Sequence, residues 1–215
     1  MKGLFRNNFF VVYSNAKVFA LVMLLIGIFV AAVVSPSLLV GYTLLGMIGF
    51  SSNAFAGLGK EYTSRWGRYK LTTPVKRSDI VKSYYISQLL WLLVGIVFAG
   101  TVIALSTALH GFPFDRSTDI FTLLVVGSGI SLFMGAIFFP LFYLGGEERS
   151  EVILIVSLLG GGGLVMGLSS LFNKVFPHMS VPQLVLSEAV IFACALMAFI
   201  LSCPLTVAVF KRREF

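Results

Sequence analysis

The sequence predicts an all-α integral membrane protein that crosses the bilayer six times, with its N- and C-termini on the cytoplasmic side. Three observations predict this. Hydrophobic residues make up 58% of the chain's 215 and charged residues only 12%, about half the charged share of a soluble domain. Five stretches hold no Asp, Glu, Lys or Arg: 18–59, 83–114, 120–146, 152–173 and 189–210. Fourteen of the sixteen basic residues fall on one side of the topology these stretches define.

The elements follow in chain order. Residues 2–13 set Leu4, Phe5, Phe9, Val12 and Tyr13 among Lys2, Arg6, Asn7 and Asn8. Helical spacing gathers the apolar set on one side, as in an N-terminal interface helix lying on the inner membrane surface. The first uncharged run has 42 residues, and a span needs only ~20. It therefore holds two spans, 17–34 and 37–58, with Ser35-Pro36-Ser37 marking the turn between them. Each later run holds one span: 84–109, 120–144, 152–170 and 185–209. Every backbone group must be satisfied inside its own segment in lipid, so the spans are helices. No run alternates apolar and polar residues as a membrane β-strand does. The length fits a single transmembrane domain, 1–215. A cleaved signal peptide is not expected, because no small-residue cleavage site follows the first apolar run before the second begins.

The basic residues orient the bundle. Lys2, Arg6 and Lys17, the seven between Lys60 and Lys82, Arg149, and Lys211, Arg212 and Arg213 share one side; only Arg116 and Lys174 lie on the other. The richer side is cytoplasmic by the positive-inside rule. The net charge of +7 thus reports topology rather than nucleic-acid binding. Two connections are left outside. The first, 110–119, is short. The second, 171–184, carries Phe172, Phe176, Pro177 and Pro182 and reads as a segment dipping back into the membrane. Cys194 and Cys203 share one span nine residues apart, ~13 Å along a helix, too far for a disulfide.

The cytoplasmic loop 60–82 reads KEYTSRWGRYKLTTPVKRSDIVK. Tyr62, Trp66 and Tyr69 recur at helical spacing, giving an aromatic face, and Glu61 can pair with Arg65 one turn on. Thr72-Thr73-Pro74 stops that helix, since the residue before proline avoids the α region. Ser78 is the expected cap of the next helix, starting near Asp79 and running to about Leu109. Such a helix is ~46 Å long against a hydrocarbon core of ~30 Å, so its first turns project into the cytoplasm. Composition alone leaves two readings of this surface: a dock for a protein, or a basic loop on anionic lipid heads.

WGRYKLTTPVKRSDIVKSYY resembles the cytoplasmic loop of ABC-2 type permeases, the membrane-spanning subunits of bacterial ABC transporters. An aromatic residue, a proline turn, a basic pair and a helix restart with Ile-Val follow in the family's order. Thr73 stands where leucine is common. MKGLFRNNFF is similar to the family's interface helix, and PLFYLGGEERSEVI at 140–153 to its turn between the fourth and fifth spans, although Glu147, Glu148 and Glu151 make that turn more acidic.

The resemblance implies a permease subunit of an ATP-driven exporter in the bacterial cytoplasmic membrane, paired with an identical or related second permease chain. Two separate ATP-binding subunits would dock on Tyr62, Arg65, Trp66, Arg68, Tyr69, Lys70, Thr73 and Pro74. ATP and Mg would sit on those partners, because this chain has no G-x-x-x-x-G-K-[ST] sequence to cradle phosphate. Amphipathic peptides and other hydrophobic molecules are candidate substrates. The rival reading is a stand-alone immunity or stress-response protein that acts by binding a partner in the bilayer.

Other features carry weaker chemistry. Gly160–Gly163 lack the following Lys and Ser or Thr of a phosphate loop, and read as close helix packing or a break in the fifth span. Pro140 and Pro204 read as kinks. Glu188 is the one acidic residue inside a span, a candidate pathway or outer-gate residue, with pairing to Lys174 the structural alternative. His110 and His178 lie across the membrane from Glu147-Glu148, so an intramembrane metalloenzyme is not expected.

Overall fold

A computed structural model of the protein describes residues 2–33, 35–63, 76–114, 116–177 and 180–212; the side chains of 2–7, 60–63, 117 and 147 lie outside that description. The described residues form six α-helices and no strand: α1 Lys2–Val33, α2 Pro36–Thr63, α3 Arg77–His110, α4 Ser117–Gly145, α5 Ser150–Val175 and α6 Val181–Arg212. A 3-10 turn, Glu147–Arg149, joins α4 to α5. All six helices are long and apolar enough to cross a membrane.

Helix ends have local causes. Gly111 (φ 88°) and Gly146 (φ 80°) take positive φ just past α3 and α4, and their N–H groups return to Thr107 O and Phe142 O. Glycine enters that backbone region without steric cost. Asp119 Oδ2 accepts the Arg116 N–H at 3.1 Å at the start of α4. At the start of α6, Gln183 Oε1 accepts the Ser180 N–H at 2.9 Å, and Pro182 sits in the first turn, where its missing N–H leaves no bond unmade.

Three expectations change. Residues 2–13 are not a separate interface helix: α1 is continuous for 32 residues. Asn8 Nδ2 donates to Ser83 Oγ at 2.8 Å and the Phe9 ring stacks on Trp91, centroids 5.6 Å apart, so this segment packs on α3. Residues 171–184 are not re-entrant: α5 continues to Val175 and α6 begins at Val181. Ser78 is not the cap of α3: the helix starts at Arg77, with Lys76 at the capping position and no side-chain cap bond. The first turns of α3 are packed against their neighbours, with Ile80, Val81, Tyr84 and Tyr85 buried.

α4 is the central helix, packing most extensively on α6 and α5, while α2 packs chiefly on α3. Leu132, Met134, Phe138, Phe139, Phe142 and Tyr143 of α4 are fully buried. Phe55 of α2 meets Phe138 at 4.3 Å, and Tyr85 of α3 meets Phe139 at 4.3 Å. A second cluster joins α1, α2 and α3 through Met23, Leu39, Phe50 and Trp91. Leu24, Leu25, Leu159 and Met166 on α1 and α5 are exposed, as expected of lipid-facing positions.

Lipid tails are as apolar as leucine, so helix association rests on close packing and interhelical hydrogen bonds. Gly161 shows the first. A Cβ there would lie 2.9 Å from Ile130 O and 3.0 Å from Met134 N of α4, so the two backbones touch; Gly162 and Gly163 meet nothing within 4 Å. The four glycines do not break α5, which runs unbroken from Ser150 to Val175. Pro140 and Pro204 lie inside continuous helices.

Candidate functional site

The end of the bundle that carries Lys2 and Arg212 also carries Thr63 and Lys76, the described residues that flank 64–75. Tyr62 lies in the last turn of α2, with its backbone alone described. Arg65, Trp66, Arg68, Tyr69, Lys70, Thr73 and Pro74 fall outside the described residues. What the structure does place is where this loop re-enters the bundle, and what that entry is attached to.

The attachment begins at Arg77, the first residue of α3. Its Nη1 donates to Phe210 O at 3.3 Å and Lys211 O at 3.4 Å, and its guanidinium lies 5.6 Å from the centre of the Phe210 ring. The last carbonyls of a helix have no intrahelical donor and carry the negative end of its dipole. Arg77 therefore caps α6 and ties the start of α3 to its end. Phe210 in turn meets Tyr143 of α4 at 4.8 Å. On another face, Ser83 receives Asn8 of α1 and donates to Ile80 O at 2.7 Å.

Two turns beyond Arg77, Tyr85 Oη lies 2.8 Å from Ser202 Oγ and 2.8 Å from Thr206 Oγ1 of α6. Ser202 Oγ also donates to Ala136 O of α4 at 2.7 Å, and Thr206 Oγ1 to Ser202 O at 2.9 Å. The Ala136 bond has a specific cause. Ala136 is four residues before Pro140, whose ring nitrogen has no N–H to offer. Ser202 supplies, from another helix, the donor that proline removes. These contacts number four and the three hydroxyls hold one proton each. Satisfying both contacts of Tyr85 therefore requires Ser202 or Thr206 to turn its proton away from a carbonyl. The cluster has more than one hydrogen arrangement.

Gln88, one turn further and fully buried, donates to Ser131 O at 2.8 Å and Ser51 Oγ at 3.2 Å. It joins α3 to α4 and α2. Gly135 makes this geometry available, because a Cβ at that position would overlap the Gln88 amide. Gln88 Oε1 has no hydrogen-bond partner among the described residues. One helix, α3, thus connects the loop's exit to every helix except α5 through Arg77, Ser83, Tyr85 and Gln88. Sequence reasoning passed over the last three. The signal was SYYISQ at 83–88, a polar stretch inside an apolar run, which must find partners in a bilayer.

At the opposite end, Glu188 is 8% exposed and packs against α4. Its carboxylate faces Thr122 and Asp119, not Lys174, and Oε2 has no hydrogen-bond partner among the described residues.

The family model described as ABC-2 family transporter protein matches residues 3–211 of the chain. Neither the curated proteins nor the solved structures include a match.

Proposed function

Because the chain belongs to the ABC-2 family of transporter proteins, membrane components that work with ABC ATP-binding subunits, we propose that it is the permease subunit of an ATP-driven exporter. It forms the translocation pathway with a second permease chain, and separate ATP-binding subunits dock on the 60–82 loop. Its N- and C-termini then face the cytoplasm, as the fourteen basic residues on that side favour. ATP and Mg belong to the docked subunits.

The observation that carries this reading is the family match over nearly the whole chain. The wiring of α3 supports it. A force applied to the loop enters α3 at Arg77 and meets α6, α1, α4 and α2 within about three turns, at Arg77, Ser83, Tyr85 and Gln88. Interhelical hydrogen bonds in a bilayer contribute ~0.6 kcal/mol each on average. They hold the helices in register without locking them, as a cycling transporter requires. Small-residue contacts and apolar helix faces are compatible with amphipathic peptides or other hydrophobic substrates.

The test is coexpression with an ATP-binding subunit from the same genome. The two should copurify, and the pair in nanodiscs should hydrolyse ATP while the isolated chain does not exceed the detergent blank. A chain that binds no ATP-binding subunit, yet protects cells against a toxic peptide, would instead be a stand-alone immunity protein.

A further inference from the structure

Toward the end of the bundle away from Lys2 and Arg212, a cleft of about 520 Å³ between α3, α4 and α6 is lined by apolar side chains and Ser128, so nothing in it selects an occupant. Another cavity at that end, between α4 and α5, is built differently. It measures about 480 Å³, within the ~300–1,000 Å³ of small-ligand pockets.

α5 packs on α4 along one ridge. Its buried residues, Ile153, Ser157, Gly161 and Val165, recur every four residues, a spacing that keeps side chains on one helix face. The backbones touch at Gly161, and a Cβ at Gly129 of α4 would meet Val165 at 3.5 Å. The next two positions of the ridge are Ser169 and Asn173. Close packing stops there. Ser169, Ser170, Asn173 and Lys174 are exposed, and they line the cavity together with Val165 and Val126 of α4. The face that would continue the helix contact is instead polar and opens into a groove.

The four polar side chains have no hydrogen-bond or ion-pair partner among the described residues. Deeper in the same ridge, Ser157 turns its hydroxyl onto Ile153 O at 2.6 Å; Ser169 and Ser170 make no such bond. The groove therefore offers a ligand the three N–H donors and positive charge of Lys174, an amide and two hydroxyls, with hydrocarbon at its inner end. The acids Asp119 and Glu188 lie near one another and do not line it. Lys174 also offsets the negative end of the α5 dipole. That accounts for a cation in the last turn, but not for unpartnered serines and an asparagine beside it.

We propose that this groove holds one phospholipid with a net-negative head, its phosphate against Lys174, Asn173 and Ser170 and the start of an acyl chain along Val126 and Val165. Charge selects this occupant. Phosphate oxygens accept from every donor present, and a basic pocket between membrane helices suits an anionic head. A symmetric pairing of this face with a second copy would instead bring two Lys174 together. The site does not rest on the permease reading, and its test needs no ATP-binding subunit.

The reporter is Leu171→Trp, beside the groove and 58% exposed in the parent chain, with Trp66 and Trp91 replaced by Phe. The full chain is placed in phosphatidylcholine vesicles, and phosphatidylglycerol with brominated acyl chains is titrated in as the quencher; phosphatidylcholine brominated in the same way is the control. Quenching should show phosphatidylglycerol favoured by about fivefold or more. Lys174→Gln should bring the preference to within about twofold of unity, while Lys174→Arg keeps it. Lys211→Gln, at the other end of the bundle, should leave it unchanged, and inorganic phosphate should not reverse the quenching. Equal quenching by the two lipids, or a preference that survives Lys174→Gln, would overturn the proposal. So would an equal loss in Lys211→Gln, reversal by inorganic phosphate, or quenching by neither lipid because a second copy covers the face. Thermal unfolding of each variant within a few degrees of the reporter chain excludes misfolding as the cause.

Discussion

The two ends of the α3–α6 pair differ in how they are held. Near the termini, Arg77 caps α6, and Tyr85, Ser202, Thr206 and the Ala136 carbonyl share one hydroxyl cluster. Toward the other end the same two helices stand apart over an apolar cleft. Directional bonds fix geometry at the first end. Non-directional apolar contact leaves the second able to accommodate a change of shape or an occupant.

The comparison can be broken most severely at the α4–α5 contact, which supports the cleft's central helix from behind. Gly161→Leu should cost several kcal/mol, because its Cβ would have to displace backbone at Ile130 and Met134 rather than a pliable side chain. Gly163→Leu, beside open space, should stay near wild type. Thermal unfolding of the two in the same detergent measures the difference, and equal losses would mean that α5 does not pack as described.

Next in size is the hydroxyl cluster. Ser202→Ala should destabilise by about 1–3 kcal/mol, the cost of leaving a buried carbonyl without a donor. Pro140→Ala in that background should recover much of the loss, because residue 140 then supplies its own N–H to Ala136 O. A double-mutant cycle that shows simple additivity would refute the link between proline and serine. Smaller again, Arg77→Ala should cost about 0.3–1 kcal/mol, the usual worth of a cation at a helix C-terminus. It should also increase amide hydrogen exchange in the last turn of α6. At the far end, Leu93→Ala should change stability by about 0.5 kcal/mol or less, since the side chain is 57% exposed.

The sequence made the membrane class and the helix count legible for one physical reason. A charge in the hydrocarbon core is costly, so the uncharged runs outline the spans. Helix ends were less legible, because helices outlast the apolar window. α5 continues through Asn173 and Lys174, and α3 begins before Ser78. The 171–184 segment misled through its prolines and phenylalanines, although Ser180-x-x-Gln183 is a helix-start pattern. The interhelical polar contacts were out of reach. Tyr85 and Ser202 are 117 residues apart, and Ser202 and Ala136 are 66 apart. Nothing local in sequence announces that a serine will complete another helix's proline gap. Of the proposed docking residues, Tyr62 is placed by its backbone alone and the others lie outside the described residues. The aromatic face there remains a reading of spacing.

The affinity of a purified ATP-binding subunit for this chain in nanodiscs tests the central claim most directly, with wild type compared against Trp66→Ala and Lys70→Ala. Buried aromatics at interfaces cost ~2 kcal/mol or more when truncated, whereas rim charges generally contribute less. The account predicts that Trp66→Ala weakens binding about thirtyfold or more, that Lys70→Ala weakens it far less, and that coupled ATPase falls in the same order with insertion unchanged. Unaltered affinity in Trp66→Ala would show that this tryptophan only anchors in the headgroup layer, and would contradict docking through the 60–82 loop.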